Sequence, residues 1–435
     1  MESFCSYLPH SNKQLWEKAK ISLTKEPKDI KDINNIFFKG KCDFFDKIDK
    51  YHKKEGEEFF KVYKNLQNLA LDLENLFPED NITLLKKGTE DKYELTRKQI
   101  ALLFLLSFFN LIDLTQEEKR ETNSFSVFQV LLSSNGTTFE FGRCFLNYLT
   151  IIGKWLWENN KILDEKIRYY RSKKTLDTKN LDKNVKLCDI QIFEEGSLFD
   201  GKTSYIVDFA NMFIGGGVLQ GGCVQEEILF AIEPEAIVSM FFMEVMDVND
   251  AIRIDNTIQY SNYTGYGFSF QFNGSAITDN NLDKIKKNNK ILAIDACIQK
   301  TERDGSINIE EIERDIQKAY SGFMLVHYEK EENNEEKSIS TGNWGCGAFD
   351  GDHELKFFQQ WIAASFAGIK RLDYYTFKDD EMLYIISKFN RIKEKYTKAY
   401  KLYKVLTTKK LFSGKVVKIV LKESGNEDEN SCSLI

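Results

Sequence analysis

The sequence predicts an α/β fold, a mixed sheet flanked by helices, with a helical region ahead of it. Three observations predict it. Apolar residues recur at helical spacing up to about Lys166, short β-rich runs alternate with helical patterns after about Leu187, and two glycine-rich segments follow strand-like runs.

The helical region comes first. Leu15 to Leu23, Phe59 to Leu76, Ile100 to Leu114 and Phe145 to Trp157 repeat apolar residues every three or four positions, with Lys and Glu on the other faces. The most apolar run, IALLFLLSFFNLI from Ile100 to Ile112, is shorter than the roughly twenty residues a bilayer requires. It reads as a buried helix opened by a capping box of Thr96 and Gln99, and no membrane span is expected. Nothing catalytic stands out over residues 1–166, which are expected to form an accessory layer.

Beyond it, the strand-like runs are Ile190 to Phe193, Tyr205 to Phe209, Ile291 to Ala296, Phe323 to His327 and Leu372 to Phe377. Helical patterns lie between them at Gln225 to Val245, Ile309 to Ala319 and Leu355 to Ile369. Such alternation indicates a sheet covered on both faces, with ligands bound at loops leaving the strand ends. This second domain is expected over residues 167–422. The charged run Glu329 to Ser340 reads as a mobile surface insertion and residues 423–435 as a disordered tail.

Composition narrows the function. A length of 435 residues with 42% hydrophobic content fits two or three well-cored domains and excludes a disordered chain. The net charge of -7 gives no global field for nucleic acid, so direct nucleic-acid binding is not expected and a polyanion must be met locally. Eight single cysteines and four histidines without metal spacing argue against a zinc site and against Ser-His-Asp or Cys-His catalysis. Neither a metal nor another cofactor is expected. The start MESFCSYLPH has no secretory pattern, and reduced thiols suit the cytoplasm or nucleus. The ending Cys432-Ser433-Leu434-Ile435 fits a prenylation pattern only loosely, with a marginal last residue and an acidic stretch before it.

The chemistry concentrates between Val207 and Glu227, VDFANMFIGGGVLQGGCVQEE. Three glycines, Gly215, Gly216 and Gly217, permit positive φ and bare backbone N–H groups, which is how a loop approaches a diphosphate. Glycine triplets alone more often mark plain tight turns. The spacing is not GxGxxG, and a Walker lysine is missing. Glu226 and Glu227 then open a helix, where acidic residues ordinarily just compensate the dipole. Placed directly after a glycine-rich loop, they gain a second reading as groups beside a bound ribose. Adjacent helix positions point to different sides, so the pair is not expected to act as the facing acid and nucleophile of a retaining glycosidase.

GGG, seven residues, then QEE resembles the signature of the poly(ADP-ribose) glycohydrolases. The resemblance extends to Asp208 and Asn211 in VDFAN, YSNYTGY from Tyr260 to Tyr266, Ala293 to Ala296, AYSGF from Ala319 to Phe323, TGNWGCGAF from Thr341 to Phe349, and YYTF from Tyr374 to Phe377. It implies a macrodomain-like three-layer mixed sheet behind the helical accessory domain of the long eukaryotic type. It also implies cleavage of ribose–ribose bonds in poly(ADP-ribose) and on poly-ADP-ribosylated proteins, releasing ADP-ribose, by a single acid/base glutamate; the chain is expected to be a monomer.

On that resemblance Glu227 is the general acid/base, and Glu226 and Asn211 hold the ribose hydroxyls. Asp208, at a strand end, is expected to serve the catalytic group either as an anchor behind the residues that touch substrate or as a ribose contact. Gly215, Gly216, Gly217, Val218 and Gln225 form the first binding loop. Asn343, Gly345, Cys346, Gly347, Ala348 and Phe349 form the second, which by itself would read equally well as a turn around a core tryptophan. Tyr266 and Phe377 match the family's adenine-contacting aromatics, whereas 34 Phe and 19 Tyr make most aromatics simple core. Two rivals remain: a module that reads ADP-ribose without cleaving it, and a hydrolase of mono-ADP-ribosylated protein.

Overall fold

The computed structural model describes residues 5–112, 121–133, 135–200, 205–278, 289–328 and 337–423. Most of the expected charged insertion, the expected tail and Cys432 lie outside the described residues. Among the described residues are twelve strands: β1 (Cys5–Tyr7), β2 (Asn81–Thr83), β3 (Asp91–Thr96), β4 (Lys166–Lys173), β5 (Asp189–Phe193), β6 (Tyr205–Ala210), β7 (Asp250–Thr257), β8 (Ser261–Thr264), β9 (Gln271–Ser275), β10 (Asn289–Asp295), β11 (Ser338–Gly342) and β12 (Arg371–Tyr375). Eight form one sheet in the order β3-β4-β7-β10-β6-β11-β12-β5, while β1–β2 and β8–β9 pair separately. The β6–β11, β11–β12 and β12–β5 pairings are parallel. In β6 every residue but Phe209 is buried, as expected of a strand with neighbours on both sides.

The chain forms two compact units, each assembled from separated segments. The first comprises Met1–Tyr170, Ala210–Met246 and Ile254–Asn289; the second comprises Arg171–Phe209, Asp247–Arg253 and Lys290–Ile435.

The first unit is built on the helices Lys53–Leu71, Arg97–Phe108 and Thr137–Trp157. A Cβ on Gly153 would come within 2.6 Å of Val62, so glycine is what lets the first and last of these approach closely. The Thr96–Gln99 capping box is present, and nearly every side chain of Arg97–Phe108 is buried. No helix among the described residues is long and apolar enough to cross a membrane. One charge accompanies that burial: Arg97 pairs with Glu235, both fully buried, and Tyr260 donates to the same carboxylate at 2.6 Å. Arg97 also donates to Asn256 O at 2.9 Å, so the guanidinium is held by several partners. Burial raises the Glu235 carboxyl, opposed by the guanidinium beside it.

Two expectations fail in this unit. The helix expected to run from Gln225 to Val245 stops at Ile232, and Pro234–Phe241 continues as a 3-10 helix. Pro234 lacks the N–H the α-helix requires and disfavours helical geometry at Glu233. The region before Lys166 is also not purely helical, since it contains β1, β2 and β3.

In the second unit the helix Ile309–Met324 runs through the segment expected to be a strand, and Leu325–His327 adds a 3-10 turn. Gly322 is the reason the helix can pack there, because a Cβ would fall 2.4 Å from Ile294. The strand β7 was not visible beforehand because its apolar residues are interrupted by charges that the fold buries in pairs. Asp250 meets Arg171 at 2.6 Å with both side chains fully buried, and Arg253 donates to Leu325 O at 2.8 Å.

Replacing Arg97 with Met leaves Glu235 as an unpaired buried carboxylate and should cost about 3–5 kcal/mol in urea unfolding. The double replacement Arg97→Met with Glu235→Leu should recover most of that loss.

Candidate functional site

Strand β6 ends at Ala210, and the chain turns at once: Asn211 Oδ1 accepts from Phe213 N at 3.0 Å. The loop that follows is wound on itself. Gly216 N donates to Phe213 O at 3.1 Å, Val218 N to Gly215 O at 3.1 Å, and Gly222 N to Gly217 O at 2.9 Å. Gly215 and Gly216 adopt φ of +85° and +49°, which side-chain-bearing residues rarely do.

The remaining loop amides hold the two glutamates. Glu226 accepts from Asn211 N at 2.8 Å and Gly215 N at 2.6 Å. Glu227 accepts from Gly217 N at 2.9 Å and Val224 N at 2.8 Å. Glu227 is the third residue of its helix, so its bond to Val224 N is the reciprocal half of a capping box, for which valine has no side-chain partner. Both glutamates are buried, Glu226 at 2% exposure and Glu227 at 7%.

Two expectations change here. The N–H groups of Gly215 and Gly217 hold carboxylates and those of Gly216 and Val218 bond loop carbonyls, so all four are engaged inside the loop before any phosphate arrives. The glutamates also do not diverge. A Cβ on Gly216 would stand 2.5 Å from Glu226 Oε2 and 2.6 Å from Glu227 Oε1, so both carboxylates flank one point. First-turn side chains can bend back toward preceding N–H groups, which overrides the simple rule of helical faces.

Tyr266 belongs to this cluster. Its hydroxyl accepts from Gln225 N–H, and burial of the hydroxyl end, then the Glu227 carboxylate, raise its proton affinity above the ordinary phenol value. Its ring remains 60% exposed. Cys223 is buried, and burial followed by the Glu227 charge pushes its thiol up to about 12. Sequence reasoning missed Asn123, whose Nδ2 donates to Gly216 O at 2.8 Å and Ile214 O at 3.0 Å. It sits in ETNSFS, where no motif or periodicity marks it.

The second unit carries the other expected residues. Asp208 is wholly buried in β6. After β11, Asn343 donates to Asp379 at 3.1 Å and accepts from the Tyr374 hydroxyl at 3.3 Å. Trp344 is buried and donates to Ile294 O at 2.8 Å, so this loop is indeed wrapped on a core tryptophan. Gly345, at φ +76°, lies over Lys356, whose ammonium pairs with Asp315 and stands 5.0 Å from the Trp344 ring centre. Burial alone would raise the Asp315 carboxyl, but Lys356 and Arg314 hold it below its usual value.

Beyond Cys346, which donates its N–H to Asn343 O at 3.1 Å, the loop opens. Gly347 and Ala348 are exposed, and a Cβ on Gly347 would meet nothing within 4 Å. Phe349 is half-buried and its carbonyl accepts from Gln299 N at 3.1 Å. Phe377 is 43% exposed at φ +56°, a strained setting for a bulky residue, and its ring lies against Gly342. Within each unit, then, the expected residues cluster: glutamates, glycine loop and Tyr266 in one, the second loop and Phe377 in the other.

The arrangement defines a class: a helical domain followed by a macrodomain-fold domain with a buried pair of carboxylates on a glycine loop. Residues 51–171 match the family model described as the helical domain of poly(ADP-ribose) glycohydrolase, and residues 178–383 match that family's Macro domain fold. Among relatives, the probable poly(ADP-ribose) glycohydrolase 2 of Arabidopsis thaliana is 30% identical over 392 residues, covering 77% of this chain and 74% of the relative. Poly(ADP-ribose) glycohydrolase 1 of the same plant is 34% identical over 45% of this chain and 47% of its own length. Poly(ADP-ribose) glycohydrolase 1 of Caenorhabditis elegans is 31% identical over 75% of this chain and 41% of its own length. This chain thus spans less than half of the last two. The chain belongs to the poly(ADP-ribose) glycohydrolase family.

Two outcomes test the loop. Gly216→Ala should expel at least one carboxylate, seen as lost amide-exchange protection at Asn211 and Gly215 for Glu226, or at Gly217 and Val224 for Glu227. Asn123→Ala should loosen the same amides and destabilise by about 1 kcal/mol, since part-buried carbonyls lose their donor. Because the Cys223 thiol stays protonated until about pH 12, iodoacetamide at pH 8 should leave it unlabelled in the folded protein by mass spectrometry.

Proposed function

We propose that this chain hydrolyses the ribose–ribose O-glycosidic bonds of poly(ADP-ribose), releasing ADP-ribose, with Glu227 as the general acid/base. The observation that carries the reading is the pair of buried carboxylates held on the glycine loop by four backbone N–H groups. A reader of ADP-ribose has no need of such a pair.

The chemistry follows from what each carboxyl has left to do. Protonated Glu227 donates to the 2′-oxygen that leaves as the neighbouring ribose develops oxocarbenium character; deprotonated, it takes a proton from the attacking water. Each carboxylate oxygen has two lone pairs, so the bonds to Gly217 and Val224 leave Glu227 able to act. Because the two carboxylates flank one point, their spacing does not assign the roles. Glu227 is the more exposed of the two and has Tyr266 in its field, whereas Glu226 is more deeply tied to the loop. Glu226 and the free amide end of Asn211 then orient ribose hydroxyls. In the second unit the exposed stretch Gly347–Ala348 suits a diphosphate and the Phe377 ring a base face; in the first, Tyr266 presents a ring of its own.

With labelled polymer as substrate, Glu227→Gln should lower turnover by a factor on the order of 10²–10⁴ while calorimetry shows ADP-ribose binding largely retained. Glu226→Gln should also lose turnover, and intact-mass measurement should find no glycosyl adduct on either variant. Near-normal rates for Glu227→Gln would remove it from the acid/base role. No ADP-ribose release by the wild type would leave the reader as the better description. Release from mono-modified protein alone would favour the mono-ADP-ribosyl hydrolase.

A further inference from the structure

The hairpin β8–β9 turns through Gly265–Phe270, and the turn is braced from within. Gly265 has φ +78°, and a Cβ there would fall 1.9 Å from Ser269 O, so only glycine fits. Tyr266 N donates to Ser269 Oγ at 3.0 Å, Ser269 N to Tyr266 O at 3.2 Å, and Phe270 N to Gly267 O at 3.1 Å. Phe270 is anchored, 2% exposed, with its ring 5.5 Å from Tyr263 and 5.0 Å from Phe141.

Between these fixed residues, Phe268 is 100% exposed. Single exposed apolar side chains usually need no explanation. This one differs because the braced turn holds it outward where the glycine loop also packs: Phe270 lies on Phe141, and Thr138, one turn earlier in the same helix, lies against Gly221, where a Cβ would stand 3.2 Å from it. A flat apolar ring is thus held out in water near the loop that carries the glutamates. In a chain of ADP-ribose units the diphosphates and riboses are polar, and the adenine is the flat apolar surface that recurs once per unit. Base–aromatic stacking suits such a ligand because it needs no pocket.

We infer that Phe268 stacks on the adenine of the ADP-ribose unit adjoining the one cleaved, and so favours polymer over substrates without a second adenine. The inference rests on the polymer hydrolysis proposed above. The adjoining base supplies affinity and not chemistry, so Phe268 acts on KM and leaves the proton transfers of Glu227 untouched.

Steady-state kinetics of the full chain on two substrates test this: poly(ADP-ribose), and an aryl glycoside of ADP-ribose that breaks the same ribose carbon–oxygen bond but has no second adenine. Phe268→Ala should raise KM for polymer roughly five- to tenfold, the lower part of the range that loss of a base stack produces. Its kcat on polymer, and both constants on the aryl glycoside, should stay within about twofold, the range of an ordinary surface substitution. Phe268→Trp should restore polymer KM. An unchanged polymer KM in Phe268→Ala, or an equal loss on both substrates, overturns the inference alone. A wild type inactive on both substrates overturns the hydrolase reading, and this inference with it.

Discussion

Four backbone N–H groups, those of Asn211, Gly215, Gly217 and Val224, hold the carboxylates of Glu226 and Glu227, and most of the local sequence follows from that constraint. Buried carboxylates are costly unless hydrogen-bonded, so the loop must supply donors at fixed positions. Doing so takes positive φ at Gly215 and Gly216 and no Cβ at Gly216, where one would collide with both carboxylates. Gly222 faces the same limit, since a Cβ would fall 2.9 Å from Glu227 Oε1. Met240 fills the space against Gly215, and Asn123 fixes the loop carbonyls from the other side of the chain. The glycines therefore serve the glutamates first.

The second unit solves a related problem with charge. Its loop from Asn343 to Phe349 rests on Trp344 and on Lys356, whose ammonium is satisfied by Asp315. Arg314 in turn bonds Asp315 at 2.9 Å and Asp295 O at 2.6 Å, and Lys318 meets Asp295 at 2.7 Å. Breaking one member of such a buried network costs more than the network adds over an apolar core. Its value here is position: the loop lies so close over the Lys356 stem that a Cβ on Gly351 would fall 2.5 Å from its Cε, and one on Gly345 3.1 Å from it.

Much of this was legible beforehand, for reasons that can be named. The buried helix Arg97–Phe108 announced itself by an apolar run and a capping box, and β6 by a short run of β-formers before the glycines. That Glu226 and Glu227 open a helix directly after a glycine loop was legible because QEE follows the glycines and leads into an apolar helical run. Strand β7 was not, because its buried Arg253 and Asp255 look like surface charges in one dimension. The helix extending to Met324 was misread as a strand because Phe323 to His327 is apolar in either state and only packing of Gly322 against Ile294 decides it. Asn123 lies 93 residues before the Gly216 it supports, and Lys356, although close to its loop in sequence, reads in one dimension as an ordinary helix-surface lysine. The convergence of Glu226 and Glu227 could not come from helix periodicity, since the loop's donors set it.

The most direct test of the central claim is a crystal structure of the wild-type chain with ADP-ribose. With the glutamates acting as proposed, a Glu227 oxygen should lie within hydrogen-bond distance of the ligand's terminal ribose, with Glu226 and Asn211 on its hydroxyls and the bonds to Gly217 and Val224 retained. ADP-ribose bound with its terminal ribose away from both carboxylates would contradict it, whatever the rest of the ligand touched.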